Sequence, residues 1–170
     1  MAIAVRLPLA ELRTAFGDHL QENVRMSNYT TSQVGGTADA FLNVYSAEEM
    51  EKAVKALWQL NAAFIVIGSG TNILVSDRGI REVVINNRAK TVKVDAHHTP
   101  PTVWAESGAN LSSVARQVAL RGLAGLEWAA PIPGTVGGAV YGNAGAHGAD
   151  MASNLVLAEI LHPIQGKVAY

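Results

Sequence analysis

Met50, Ala53, Val54, Leu57 and Leu60 recur at the spacing of one helix face, and Ser46 with Glu49 forms a capping box just ahead of them. The pattern predicts an amphipathic helix over about residues 47 to 60. On either side the period changes. Ala40 to Tyr45 reads as a strand, and Phe64-Ile65-Val66-Ile67 is too short and too β-branched for a helix and ends at glycine, so it reads as a buried strand. A strand, a helix and a strand in that order predict a right-handed crossover and a parallel pair. Further on, Glu82 to Ile85, Thr91 to Asp95 and Val103 to Glu106 look like strands, the last two an antiparallel pair around a His97-His98-Thr99-Pro100-Pro101 turn. Leu111, Val114, Ala115, Val118 and Ala119 form a second helical stripe, with Asn110 placed to cap it and Gly122 to end it. Leu155 to Leu161 reads as a final strand, and residues 1 to 24 as a helical N-terminal segment.

Composition narrows what such a chain does. It has 170 residues, 49% of them hydrophobic and 16% charged, and no apolar run approaches the roughly 18 residues of a membrane span. The expectation is a globular domain with no membrane association. With no cysteine there is no disulfide framework, thiol nucleophile or cysteine-ligated zinc, and Met1 to Leu12 lacks the basic and apolar blocks of a signal peptide. A cytoplasmic setting is expected. The net charge of -1 offers nucleic acid no general attraction, so an anionic ligand has to be held by locally aimed donors. Glycine is uneven: eight of the sixteen lie between Gly122 and Gly148. No repeat or linker divides the chain.

Three segments carry candidate chemistry. Ile67-Gly68-Ser69-Gly70-Thr71-Asn72 follows the buried strand, where two glycines at positive φ would turn backbone N–H groups inward and Ser69, Thr71 and Asn72 would add donors. Such a cup suits a pyrophosphate without any lysine or arginine; an ordinary strand-exit turn explains the same residues equally well. Ile73 stands where a Rossmann fingerprint needs its third glycine, and Gly70-Thr71-Asn72 lacks the lysine of a P-loop. The second segment, Pro131-Ile132-Pro133-Gly134-Thr135-Val136-Gly137-Gly138-Ala139 with Asn143-Ala144-Gly145-Ala146-His147-Gly148, is nearly free of large side chains. It reads as a wall against which a flat ligand can lie, or else as glycine-rich turns and close helix packing. The third, Tyr29-Thr30-Thr31 with Gly35-Gly36, is weak by itself. The five histidines show no metal-ligand spacing on one helix face, and Trp58, Trp104 and Trp128 read as core or half-buried anchors. Glu127, beside Trp128, is a solvated carboxylate or an acid raised by burial.

Together, Tyr29-Thr30-Thr31, Val34-Gly35-Gly36-Thr37-Ala38, Ile67 to Asn72, Gly122-Leu123-Ala124-Gly125-Leu126-Glu127 and Ile132 to Ala139 resemble, in order and spacing, the UDP-N-acetylenolpyruvoylglucosamine reductase family. The resemblance runs from about residue 24 to Tyr170. It implies an α+β, two-subdomain FAD-binding fold of the vanillyl-alcohol-oxidase type, a small parallel α/β unit (about 25 to 86) packed on an antiparallel unit (about 87 to 170). It further implies FAD contacts from Tyr29, Thr30 and Thr31 near the flavin, from Ile67, Gly68, Ser69, Gly70, Thr71 and Asn72 at the pyrophosphate, and from Pro133, Gly134, Thr135, Gly137, Gly138, Ala139, Asn143, Ala144, Gly145 and Gly148. Thr71, Pro131 and His147 depart from the usual serine, glycine and tyrosine. The family continues past this length into a Tyr-Arg-x-Ser motif and a substrate domain bearing a catalytic serine and a late glutamate. The implied function is therefore the FAD-binding part of a flavoprotein oxidoreductase that uses NADPH to make UDP-N-acetylmuramate for peptidoglycan, cell wall growth, cell shape and division. The catalytic residues are expected downstream of Tyr170. Another flavin oxidoreductase of the same fold, or a non-enzymatic FAD-binding module, is the alternative.

Overall fold

The computed structural model of the chain describes residues 7–170, and the chain divides into two compact units, one ending at Asn87 and the other beginning at Arg88. No helix among the described residues is long and apolar enough to cross a membrane.

The first unit opens on helix α1, Leu9–Phe16, which ends at Gly17 with φ 52°. Strand β1, Leu20–Arg25, follows at once, and Arg13 of α1 clamps Glu22 of β1 through two hydrogen bonds of 2.7 and 2.9 Å. The helical segment expected over residues 1 to 24 is thus corrected: its first six residues lie outside the described ones, and its end is a strand. Alternate burial along Leu20–Arg25 is the period of a half-buried strand, and pairing with β2, Thr37–Val44, supplies the ladder. Helix α2, Ala47–Gln59, lies where the periodicity predicts it; Ser46 Oγ accepts the Glu49 N–H at 3.1 Å, and Ala53, Val54 and Leu57 are buried.

The order of the sheet was not legible in the pattern. Strand β3, Phe64–Ile67, and strand β4, Ile80–Asn87, complete it in the order β1-β2-β4-β3, with β2 and β3 each parallel to β4. The expected direct pairing of the strands flanking α2 is therefore corrected, since β4 lies between them. Val83, Val84 and Ile85 are fully buried, and a strand apolar on both faces takes a central place. Asn86, 1% exposed, donates to Asn43 Oδ1 at 2.8 Å, which satisfies a polar pair inside the sheet. Met26, Ala38, Phe41, Ile67, Val75 and Val84 form one core cluster, and the Tyr29 ring packs on Phe41 with centroids 4.5 Å apart.

In the second unit, strands β5, Val92–Asp95, and β6, Thr102–Ala105, form the antiparallel pair the turn predicts. Asp95 Oδ1 orders that turn by accepting the N–H groups of His97 and His98. Trp104 is exposed, with Lys93 Nζ 5.3 Å from its ring centroid, so it is no core anchor. Helix α3, Leu111–Ala119, is capped by Asn110, whose Oδ1 accepts the Ser113 N–H at 2.8 Å, and it buries Leu111, Val114, Ala115 and Val118. Trp128 packs with Leu111, Ala115, Ala129, Ala139 and Met151 while its Nε1 donates to Asn154 at 2.8 Å. The glycine-rich stretch holds a short helix, α4, Val136–Tyr141, and a small hairpin of β7, Gly145–Ala146, and β8, Ala149–Asp150. A last hairpin joins β9, Glu159–His162, to β10, Gly166–Ala169. The final strand expected from Leu155 begins only at Glu159.

Candidate cofactor site

In the first unit the fold brings two of the three candidate segments together. The loop after β3 crosses Tyr29-Thr30-Thr31 so closely that Thr31 N–H donates to Gly70 C=O at 3.0 Å, and any Cβ on Gly70 would run into the Tyr29 carbonyl. Gly70 has φ +69°, which L side chains rarely adopt. Only this glycine supplies the left-handed turn of the loop. The expected second one, Gly68, continues out of β3 and is not at positive φ. Ser69, Thr71 and Asn72 are exposed, as is Thr31, whereas Ile67 and Gly70 are buried. Among the described residues, the backbone N–H groups of Ser69, Gly70, Thr71 and Asn72 meet no protein acceptor. Four free amide donors beside three hydroxyls and a carboxamide make a neutral surface rich in donors, the chemistry an anion requires when no cation is at hand.

Thr30 is buried and ties its own turn, its hydroxyl donating to Val34 C=O at 2.9 Å. Next to it Ser27, Asn28, Thr30 and Gln33 line a shallow depression of about 480 Å³. Nothing in the sequence singles out Ser27, Asn28 or Gln33, since scattered polar residues in a loop carry no period. The Val34-Gly35-Gly36 motif has a packing reason. Gly36 N–H donates to Ser76 C=O at 3.0 Å, and a Cβ on Gly35 would lie 2.8 Å from that of Val75.

In the second unit the amide donors of α4 are already engaged. Val136 N–H donates to Ala109 C=O at 2.9 Å, Gly137 N–H to Ser107 C=O at 2.8 Å, and Gly138 N–H to Thr135 Oγ1 at 3.3 Å. This segment offers a surface rather than a set of anion donors. Gly137 has to be glycine because a Cβ would come within 2.8 Å of the Ser107 side chain. Gly138 is exposed and its Cβ would meet only Thr135 Oγ1 at 3.5 Å, an ordinary contact. Gly134 takes φ +133° at the turn into the helix, Pro133 before it is exposed, and Ala139 is buried in the core behind it.

Local structure accounts for most of Asn143 to Gly148. His147 and Gly148, at φ 54° and 83°, are the two central residues of the tight turn between β7 and β8. Gly145 faces Asp150 across that hairpin, where a Cβ would sit 2.8 Å from Ala149 C=O. Ala144 bridges the end of α4, its N–H donating to Ala139 C=O and its own C=O accepting from Met151. The Asn143 side chain is a clamp: Nδ2 donates to Asp150 at 3.1 Å and Oδ1 accepts the Ala152 N–H at 2.9 Å. The Asp150 carboxyl is held below the usual carboxylate range, first by the Ser153 N–H and then by the Asn143 amide. A depressed carboxyl contributes stability that is present above the ordinary pKa of about 3.9 and lost as pH falls through the lower folded value. Asn143→Ala should therefore move the Asp150 titration upward, read from carboxyl NMR shifts, and the Ala152 amide should exchange faster. An unmoved Asp150 titration contradicts the clamp. Glu127 is exposed and accepts the Gly125 N–H at 2.8 Å, so of its two readings the solvated, hydrogen-bonded carboxylate holds.

Residues 38–168 match the FAD binding domain family, and the chain belongs to that family. Its architecture is the α+β fold the resemblance implies, although the sheet of the first unit is mixed rather than parallel, since β1 runs antiparallel to β2; the strands of the second unit are antiparallel. The chain is 41% identical over 151 residues to UDP-N-acetylenolpyruvoylglucosamine reductase of Anoxybacillus flavithermus, covering 89% of this chain and 49% of that protein. The crystal structure of UDP-N-acetylenolpyruvylglucosamine reductase from Thermus caldophilus superposes with a TM-score of 0.70 at 33% identity, over 89% of this chain and 51% of that one. An alkyldihydroxyacetonephosphate synthase shares the fold, with a TM-score of 0.70 at 21% identity over 95% of this chain and 37% of that one. The chain thus spans about half the length of the reductases it matches.

Proposed function

We propose that this chain is the FAD-binding part of a UDP-N-acetylenolpyruvoylglucosamine reductase, holding the dinucleotide for an NADPH-driven reduction of an enolpyruvyl group in the cytoplasm during peptidoglycan synthesis. The observation that carries this reading is the crossing of Tyr29-Thr30-Thr31 and Gly68 to Asn72, with its unpaired amides. Family membership and the similarity to reductases over 89% of the chain support it. FAD, when bound, supplies the hydride-accepting and hydride-donating ring.

The residues of the chain contribute binding and orientation. Ser69, Gly70, Thr71 and Asn72 would donate hydrogen bonds to the pyrophosphate, which the near-neutral chain cannot attract by charge alone. Tyr29, braced on Phe41, and the Thr31 hydroxyl would lie by the flavin side of that loop. Pro133, Gly134, Thr135, Gly137 and Gly138 would form a thin wall, with Ala139 behind it as support; the roles of Asn143, Ala144, Gly145 and Gly148 would be to shape its end. The purified chain should bind FAD at least about tenfold more tightly than FMN, since each hydrogen bond to a charged phosphate oxygen is worth about 1.5–3 kcal/mol. Fluorescence quenching titrations compare the two flavins. Equal affinities would remove the loop from the binding surface.

A further inference from the structure

We infer that the depression lined by Ser27, Asn28, Thr30 and Gln33 is a subsite for the neutral vicinal hydroxyls that flank the pyrophosphate of a dinucleotide. The inference rests on the proposed FAD site and adds to it a recognition element that neither motif nor charge announces.

The depression adjoins the crossing. Thr30 lines it, and the next residue, Thr31, donates its N–H to Gly70 C=O at 3.0 Å. Its floor is fixed by the core. Met26 is fully buried and anchors the single 3-10 turn Met26–Asn28, which Tyr29 N–H closes on Met26 C=O at 2.8 Å. Thr30 is buried as well, with its hydroxyl donated to Val34 C=O at 2.9 Å. Gln33 completes the lining, its N–H donating to Thr30 C=O at 3.1 Å and its φ standing at 55°. Glutamine lacks the short side chain that lets asparagine and aspartate settle in left-handed backbone, and residues held there by their surroundings cluster at ligand sites.

The lining chemistry selects the ligand. Ser27 is half-buried, Asn28 and Gln33 are exposed, and among the described residues the Ser27 hydroxyl and both carboxamides meet no protein partner. Each carboxamide presents donors beside an acceptor, and a hydroxyl presents both at one atom. None of the four lining residues is charged or apolar. A phosphate is better served by the loop amides, and a flat ring finds no apolar face here. The match is a group whose neighbouring atoms both donate and accept, which is a vicinal diol. A pyrophosphate seated on the Ser69 to Asn72 amides carries such groups on either side, the ribityl chain toward the flavin and the ribose toward the adenine. Both lie within a few bonds of the phosphates, so one of them has to pass beside the loop, where the depression opens.

The test uses the purified chain and three ligands: FAD, ADP, which keeps the ribose and the pyrophosphate, and an FAD analogue whose ribityl chain is replaced by an unhydroxylated alkyl chain. Asn28→Ala combined with Gln33→Ala should weaken FAD binding about tenfold or more, the scale of lost neutral hydrogen bonds. If the ribityl chain fills the depression, the double variant leaves ADP affinity unchanged and binds the alkyl analogue as the parent does. If the ribose fills it, ADP and FAD weaken by the same factor. Gln33→Gly separates binding from folding, because glycine relieves the left-handed backbone: the protein should melt no lower than the parent while FAD affinity falls. Unchanged FAD affinity in the double variant overturns the inference, and loss of FAD on Gly70→Ala in the same series would leave the proposed function standing without it. Equal weakening of FAD and the alkyl analogue with ADP unchanged overturns it too, since the hydroxyls would then play no part. A parent chain that binds no FAD removes both readings.

Discussion

Gly70→Ala should abolish the cofactor affinity of this chain, lowering it at least about 100-fold, because the loss of two hydrogen bonds to a charged group is worth about 3 kcal/mol or more. Two physical effects combine at this position. At φ +69° an L side chain costs roughly 1–2 kcal/mol in the backbone alone. In addition the new Cβ runs into the Tyr29 carbonyl, which is backbone and cannot rotate away, so the crossing of the two segments has to open. The amides of Ser69, Thr71 and Asn72, which meet no protein acceptor, are then displaced with the loop. Gly138→Ala is the matched comparison. That glycine sits inside α4, is exposed and has room for a methyl group, so alanine should raise thermal stability by up to about 1 kcal/mol through helix propensity. A Gly138→Ala protein that melts higher yet binds FAD more weakly would place the ligand against α4. Titration with FAD and thermal melts on the same preparations read both effects, and a Gly70→Ala chain that binds FAD like the parent would refute the role of the crossing.

The second expected result is that the FAD-loaded chain oxidises no NADPH in response to UDP-N-acetylglucosamine enolpyruvate. Reduction of that double bond needs a proton donor and a group to stabilise the developing negative charge, and missing stabilisation alone costs on the order of 10² to 10³ in rate. Both candidate donors, Glu127 and His147, are exposed. Glu127 is exposed and occupied by the Gly125 N–H, and His147 lies at the tip of the β7–β8 turn. The same chain extended with the unmatched half of the Anoxybacillus flavithermus reductase should recover substrate-dependent turnover. Equal rates with and without the extension would require a donor within Met1 to Tyr170, and Glu127→Gln and His147→Ala would then be the variants to assay.

Local chemistry was readable without a structure. Ser46 and Glu49 mark the start of α2, Asn110 that of α3, and Phe64–Ile67 a strand running into glycine, because caps, periods and breakers act over a few neighbouring residues. The burial expected of that strand is corrected, since β3 lies at the edge of the sheet and only its Ile67 is buried. The strand character of Leu20–Arg25 was not readable, because Glu22 interrupts the apolar face between Leu20 and Val24 and only pairing with β2 makes the segment a strand. What depended on distant contacts was not readable. The insertion of β4 between β2 and β3 follows from which strand needs cover on both faces, and periodicity names no neighbour. The same limit governs the site. Gly70 and Gly148 both stand at positive φ, one because the Tyr29 carbonyl passes over it from far along the chain and the other because a two-residue turn demands it. The composition of the two stretches is similar, and only the tertiary approach of a second segment separates a glycine placed by a long-range crossing from one that turns a hairpin.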